Sequence, residues 1–234
     1  YFKQTVKKEV KISYKFYDKI ILLPLLSMAT WVIVHQIGDS TLYRIDNVLV
    51  NIFFSTKESG ILGAITELGN YILIAFSVFS SLFGPLILIA YSESDHKKVK
   101  SLFVDSSFSI GVISALLIGL IAGFSNVILN FWLGYEFAIY GVWLKIKLLS
   151  LPFFVSGGIF AFVYRSWNKV KWPAIITLLI GLLNFIICYF VFYFISIEWI
   201  VELVLLINVL LTIFQCYVFN AIFVINIYPS ARLR

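Results

Sequence analysis

The stretch ILLPLLSMATWVIVHQIGDSTLYRIDNVLVNIFF, residues 21–54, decides the fold class. Its first half is a nearly continuous apolar run, and a bilayer core about 30 Å thick needs about 20 such residues in one helix. Its second half carries Asp39, Arg44 and Asp46. A charge inside hydrocarbon is costly, so these side chains are expected to face a protein interior or a water-filled cavity.

The whole chain has the composition of an integral membrane protein. Of its 234 residues, 61% are hydrophobic and 13% are charged, whereas a soluble domain is about 45–50% apolar and about 25% charged. The apolar runs lack the alternation of barrel strands. We therefore predict an all-α membrane protein. The positions of the basic residues indicate that the net charge of +6 reflects orientation in the membrane rather than binding of nucleic acid.

Six apolar stretches are long enough to cross a bilayer. They cover, approximately, residues 20–54, 61–91, 104–132, 139–165, 173–195 and 199–228. The first would be about 52 Å long as a helix. We expect it to be one tilted helix that bends near Pro24 or Gly38, or a helix that follows an interfacial segment.

The basic residues orient these crossings. Fourteen of the 18 lysines and arginines lie in the N-terminal segment, after the second stretch, after the fourth stretch and at the C-terminus. Cytoplasmic loops carry the excess of positive charge, so both ends are predicted to be cytoplasmic. The predicted organisation is a basic linker over residues 1–19, a six-helix transmembrane lobe over 20–228 and a cytoplasmic end over 229–234. Because the sequence begins with Tyr1, it is interpreted as a piece of a longer protein.

The first predicted helix has one polar face. Residues three or four apart share a helix face, and this spacing joins Gln36, Ser40, Tyr43, Arg44, Asn47 and Asn51. Asp39 and Asp46 lie beside them. Such a face can line a solvated cavity. Alternatively, Arg44 pairs with Asp39 or Asp46 and only holds the helices together.

Other charged residues fall near the ends of predicted spans. Glu67 lies in the second, and Lys145 and Lys147 lie early in the fourth. The two lysines can join Arg44 in a cavity, or they can extend to the membrane surface. His35 is equally well a packed residue or a proton carrier.

No catalytic group of residues emerges from the sequence. There is no phosphate-binding loop, no cluster of metal ligands and no nucleophile beside a base, so we expect neither an enzyme nor a cofactor. Cys188 and Cys216 are interpreted as buried apolar residues.

Several motifs, in order, resemble a known transporter family. They are WVIVHQIGDSTLYRIDNVLVNIFF (31–54), FGPLILIAYSESD (83–95), NFWLGYEF (130–137), VYRSWNKVKWP (163–173) and TLLIGLLNFIICYF (177–190). Together they are similar to bacterial polysaccharide flippases of the Wzx type, in the multidrug/oligosaccharidyl-lipid/polysaccharide exporter superfamily. The final apolar stretch, VELVLLINVLL (201–211), departs from the glycine-rich pattern of that family.

This resemblance implies a function and a location. The family has two six-helix lobes around a cavity, and the chain looks like the C-terminal lobe of a multi-pass protein of the bacterial cytoplasmic membrane. The implied substrate is an oligosaccharide on a polyprenyl pyrophosphate carrier, and the implied partners are the bilayer, the missing N-terminal lobe and a polysaccharide polymerase. Arg44, Lys145 and Lys147 would then bind phosphate; the polar residues Gln36, Ser40, Asn47 and Asn51 would bind sugar.

Two alternatives remain open. An ion-coupled multidrug exporter of the same superfamily would use Asp39, Asp46 and Glu67 to bind Na⁺ or H⁺. A membrane scaffold or assembly protein would instead use the polar face of the first helix to bind another protein. The net charge of the cavity is expected to discriminate between the two transporters.

Overall fold

The computed structural model describes residues 19–167 and 169–227, and these residues form helices connected by short turns. The helices are α1 (Lys19–Phe53), α2 (Thr56–Ser81), α3 (Phe83–Ser92), α4 (His96–Gly123), α5 (Ser125–Leu133), α6 (Gly141–Leu149), α7 (Leu151–Ser166), α8 (Lys171–Phe194) and α9 (Ile200–Ile227), with a 3₁₀ helix at Tyr135–Tyr140 between α5 and α6. Most of the predicted linker and the C-terminal residues 228–234 lie outside the described part.

Six helical stretches in the described residues are long and apolar enough to cross a membrane. They are Leu22–Phe53, Thr56–Ser92, His96–Gly123, Tyr135–Ser166, Lys171–Phe194 and Ile200–Phe223. This confirms the predicted all-α, multi-pass membrane protein. Large apolar side chains such as Leu116 and Leu210 are about two-thirds exposed on the outside of the bundle, as expected for a surface that contacts lipid.

Local signals explain several helix boundaries. The Ser55 hydroxyl accepts hydrogen bonds from the backbone N–H groups of Lys57 and Glu58, and it donates to the Glu58 carboxylate. Ser55 thereby caps the start of α2. The Asp95 carboxylate caps α4 by accepting from the N–H of Lys98 at 2.9 Å. The short turns between neighbouring helices therefore reverse the chain at defined positions.

The first predicted stretch forms one continuous helix, with Pro24 inside it. The second, third and fourth stretches are each interrupted: α2 and α3 form the second, α4 and α5 form the third, and the 3₁₀ helix, α6 and α7 form the fourth. Pro152 stands in the first turn of α7, where its missing N–H costs no helical hydrogen bond. Helices α6 and α7 lie in the middle of the bundle and contact α2, α4 and α9.

Helix α1 packs closely along α8. A Cβ atom at Gly38 would lie 2.6–2.8 Å from the backbone of Thr177 and Leu178, and one at Gly181 would lie 2.7 Å from the Gly38 carbonyl oxygen. Only glycine fits at such a distance. Small residues permit this approach in membrane helices, and the contact fixes the rotation of α1 and therefore which of its faces stays uncovered.

Candidate functional site

The uncovered face of α1 carries most of the predicted polar residues. Gln36, Ser40, Arg44 and Asn51 are exposed, and Asn47 is half-buried. Tyr43, predicted on the same face, is buried, with 6% of its surface exposed. The exposed residues follow one another at intervals of four or seven and so form one stripe along the helix. We call Gln36, Ser40, Arg44 and Asn51 the open face.

Arg44 is the only cation of the open face. Its guanidinium Nη1 lies 3.9 Å from the Glu67 carboxylate on α2, and both side chains are more than half exposed. The alternative in which Arg44 pairs with Asp39 or Asp46 is wrong, since its partner in the structure is Glu67. An exposed ion pair at this separation contributes only about 0–1 kcal/mol, so the guanidinium is available to other anions.

Asn47 connects α1 with the start of α2. The Ser59 hydroxyl donates to the side-chain oxygen of Asn47 at 3.0 Å and also lies 3.2 Å from its backbone carbonyl oxygen. Sugar binding by Asn47 stays a prediction, but its side-chain oxygen already has a partner within the bundle.

Lys147 and Asp46 form a buried ion pair. The Lys147 ammonium lies 2.6 Å from the Asp46 carboxylate, and the two side chains are 2% and 0% exposed. The same ammonium donates to the backbone carbonyl of Tyr43 at 2.6 Å and lies 4.5 Å from the centre of the Tyr43 ring. The pair therefore joins α6 to α1 and is closed to solvent.

Two amides complete a polar cluster around the same turn of α1. Asn184 of α8 donates to the backbone carbonyl of Leu42 at 3.1 Å, and Asn208 of α9 donates to that same oxygen. We call this cluster the hub, and its members are Leu42, Tyr43, Asp46, Lys147, Asn184 and Asn208. Three helices thus bind a single turn of α1, while the Tyr43 hydroxyl and the Asn208 side-chain oxygen are buried without a hydrogen-bond partner.

Lys145 points away from the hub. It lies two residues before Lys147, or about 200° around α6, and its side chain is exposed. The structure therefore does not bring Arg44, Lys145 and Lys147 together into one cationic cavity. Phosphate binding by either lysine stays a prediction; for Lys147 the ammonium is already neutralised by Asp46.

The three predicted acidic residues have three different partners. Glu67 lies by Arg44, Asp46 by Lys147, and Asp39 by His35, whose Nδ1 is 3.0 Å from the Asp39 carboxylate. His35 and Asp39 line a cavity of about 170 Å³ between α1, α7, α8 and α9. Their role in ion coupling stays a prediction.

Sequence reasoning missed the hub as a unit. Asn184 and Asn208 lie within apolar runs, but helical spacing within α8 or α9 does not show which residue of α1 they reach. The one available signal was their central position in otherwise apolar helices, where an amide needs a partner on another helix.

Comparisons with known proteins give one informative similarity. Over 170 residues, which are 70% of this chain, the sequence is 26% identical to the "Uncharacterized membrane protein EpsK" of Bacillus subtilis (strain 168). The matched region is 32% of that relative, so the chain spans about a third of its length. No protein-family model matches, and no solved structure matches. Together with the six spans, the similarity identifies a multi-pass membrane protein.

Proposed function

We propose that this chain is part of a membrane transporter that moves a polyprenyl-pyrophosphate-linked oligosaccharide from the cytoplasmic to the outer leaflet. The transporter works by alternating access in the bacterial cytoplasmic membrane and serves the export of cell-surface polysaccharide. The proposal rests on the resemblance of the sequence motifs to the flippase family and on one structural observation: a half-exposed arginine on the open face of a membrane-spanning helix.

An exposed guanidinium on a spanning helix is costly against lipid. It costs several kcal/mol at the bilayer centre, so such residues face a protein interior or a water-filled cavity. The Arg44 side chain is 56% exposed even though it contacts Glu67. The open face therefore borders a cavity, or a part of the protein beyond these residues.

Arg44 has the chemistry that an anionic carrier needs. Its planar guanidinium can donate two parallel hydrogen bonds to phosphate oxygens. Its pair with Glu67 is weak, so exchange of that carboxylate for a pyrophosphate costs little. Gln36, Ser40 and Asn51 lie on the same face and offer both donors and acceptors to sugar hydroxyl groups. We therefore assign binding of the pyrophosphate to Arg44, since Lys147 is buried in the hub and paired with Asp46.

The test uses the full-length protein with the variants Arg44→Ala and Arg44→Lys. A matched control is Lys57→Ala, which removes an exposed cation from the first turn of α2. Purified protein in liposomes is supplied with a lipid-linked oligosaccharide, and its transfer between leaflets is followed with an impermeant sugar-modifying reagent. Surface polysaccharide and the amount of protein in the membrane are measured in cells.

We expect Arg44→Ala to slow transfer by about tenfold or more, because a hydrogen bond to a charged group contributes about 1.5–3 kcal/mol. Arg44→Lys should retain part of the rate, and Lys57→Ala should retain all of it. Transfer at the wild-type rate by Arg44→Ala, with normal protein abundance, would contradict the role of Arg44. No transfer by the wild-type protein would contradict the proposed function itself.

A second candidate, an exporter of organic cations, is favoured by one observation. Glu67 of α2 is nearly as exposed as Arg44, so the open face and this neighbouring carboxylate together carry one charge of each sign instead of a net positive charge. Under this candidate Glu67→Gln abolishes export of a cationic dye while Arg44→Ala does not. Under the flippase proposal, Arg44→Ala slows transfer of the lipid-linked oligosaccharide more than Glu67→Gln does.

A further inference from the structure

The cavity between α1, α7, α8 and α9 has the size of one six-membered ring. Its volume is about 170 Å³, and an engineered protein cavity of about 150 Å³ holds one benzene molecule. Gly158 of α7 lines this cavity, and a Cβ atom there would have no other heavy atom within 4 Å. The missing side chain at Gly158 therefore helps to keep the space open.

The cavity combines polar side chains of α1 with aromatic rings of other helices. The polar side chains are His35, Gln36 and Asp39, and the rings come from α7 and α9. The His35 Nδ1 lies 3.0 Å from the Asp39 carboxylate, and the imidazole stacks on Phe219 with ring centres 6.5 Å apart. These polar groups are thus held in place by packing, while their side chains stay partly exposed to the cavity.

A sugar ring matches this combination of groups. Its flat face carries C–H groups, which pack against the electron-rich faces of aromatic rings. Its edge carries hydroxyl groups, for which Asp39 offers acceptors and Gln36 offers both donors and acceptors. A site for hydrocarbon alone would gain nothing from a carboxylate, because burying that group without hydrogen bonds is costly.

The charges of the lining residues favour a neutral ligand. Among the described residues that line the cavity, Asp39 is the carboxylate and Arg165 of α7 is the guanidinium. A charged ligand in this space would lie near a like charge as well as an opposite one. An uncharged ring avoids that repulsion, and its hydroxyl groups can donate to the carboxylate and accept from the guanidinium.

The cavity adjoins the open face through Gln36, which belongs to both. Gln36 precedes Arg44 by eight residues, or about 12 Å along α1, on the side that the basic residues predict to be cytoplasmic. A glycan whose pyrophosphate binds Arg44 would extend along α1 towards this cavity. The separation is longer than one sugar ring, so the unit that reaches the cavity is one beyond the first.

We propose that this cavity binds one sugar ring of the transported glycan. The aromatic side chains of α7 and α9 pack on the face of the ring, and His35, Gln36 and Asp39 form hydrogen bonds with its hydroxyl groups. The shape of the cavity then selects among glycans by a unit that lies away from the pyrophosphate. Binding of a sugar ring is a property of the cavity itself, whereas its place in transport rests on the proposed function.

The first test measures binding of free sugars to the full-length protein in lipid nanodiscs by saturation-transfer NMR, with empty nanodiscs as background. The probes are D-glucose, D-galactose, N-acetyl-D-glucosamine and the cationic D-glucosamine. Gly158→Leu fills the cavity from α7. Gly119→Leu is the matched control, because a Cβ atom there also has open space around it and α4 does not line the cavity.

We expect at least one neutral sugar to bind the wild-type protein and Gly119→Leu, and none to bind Gly158→Leu. Three results would overturn the site: no neutral sugar binds the wild type, Gly158→Leu binds sugar as well as the wild type does, or D-glucosamine binds in preference to every neutral sugar. The last result would assign the cavity to cations.

A second variant tests the hydrogen bonds and leaves the cavity open. Asp39→Leu removes the carboxylate acceptors, and its folding is checked by size-exclusion chromatography. The sugar concentration for half-saturation should rise about tenfold or more, as expected for a lost hydrogen bond to a charged group. An unchanged half-saturation concentration in the folded variant would contradict the sugar site, whether or not Gly158→Leu folds.

Transfer of the lipid-linked oligosaccharide separates this proposal from the proposed function. Gly158→Leu should slow transfer, and Gly119→Leu should not. If free sugar binds in the cavity but the wild-type protein transfers no oligosaccharide, the sugar site stands and the flippase function fails. If Gly158→Leu binds no sugar yet transfers oligosaccharide at the wild-type rate, the function stands and the role of the cavity in transport fails.

Discussion

Replacing Lys147 by methionine tests the hub most directly. Methionine keeps much of the length of the lysine side chain, but it removes the ammonium that lies 2.6 Å from both the Asp46 carboxylate and the Tyr43 carbonyl oxygen. Asp46 is fully buried and keeps one hydrogen bond, from the N–H of Asn47 at 3.0 Å. The variant therefore leaves a buried carboxylate that is only partly compensated.

Removing one partner of a buried ion pair costs about 3–5 kcal/mol. At about 1.4 kcal/mol for each factor of ten, the unfolding equilibrium should shift by a factor between about 100 and 4,000. The shift can be measured by reversible unfolding of the full-length protein in mixed micelles with increasing dodecyl sulfate, followed by tryptophan fluorescence. The remaining hydrogen bond of Asp46 places the expected cost at the lower end of this range.

The double variant Asp46→Asn with Lys147→Met separates charge from packing. Replacing both charges with neutral groups of similar volume is often neutral for stability, so it should recover most of the loss of Lys147→Met. A double variant as unstable as Lys147→Met would show that lost packing, and not an uncompensated carboxylate, is the cause. A cost below about 1 kcal/mol for Lys147→Met, as for an exposed pair, would refute the buried hub altogether.

Two further substitutions test how α1 is held. Gly38→Ala places a methyl group against the backbone of α8 and should destabilise the protein by about 1–3 kcal/mol. The control Gly119→Ala, which has open space around the new methyl group, should not destabilise it. Equal stability of the two variants would contradict the close packing. Asn208→Leu removes a hydrogen bond between α9 and α1 and should lower the free energy of unfolding by about 0.6–1.7 kcal/mol. In the control Asn220→Leu, the lost amide bonds only within its own helix. The same unfolding assay should show a smaller loss of stability for this control.

The six crossings could be predicted from the sequence because length and hydropathy determine them. A run of about 20 apolar residues has few alternatives to a spanning helix, and the spacing of the lysines orients it. The interruptions between α2 and α3, between α4 and α5, and between α6 and α7 were not predicted. The last of them lies inside an apolar run, just before Pro152. A proline there is compatible with one kinked helix or with two separate helices.

The site was predicted only in part, for a reason of geometry. Helical spacing correctly placed Gln36, Ser40, Arg44 and Asn51 on one face, since those positions depend only on the helix itself. The partner of a charged residue depends on how helices pack, and spacing within one helix cannot show that Arg44 meets Glu67 while Asp46 meets Lys147. The two lysines of α6 were assigned one role, yet two residues apart on a helix they face nearly opposite directions.

The hub also constrains how the protein is made. Lys147 follows Asp46 by 101 residues, and at a synthesis rate of about 5–20 residues per second the ribosome needs about 5–20 s to produce it. During that interval Asp46 lacks the ammonium that pairs with it in the finished bundle, and a charged carboxylate is costly in hydrocarbon. The amides of α8 and α9 are made later still, so α1, the earliest of these spans to be synthesised, gains its last hub contacts only when α9 is made.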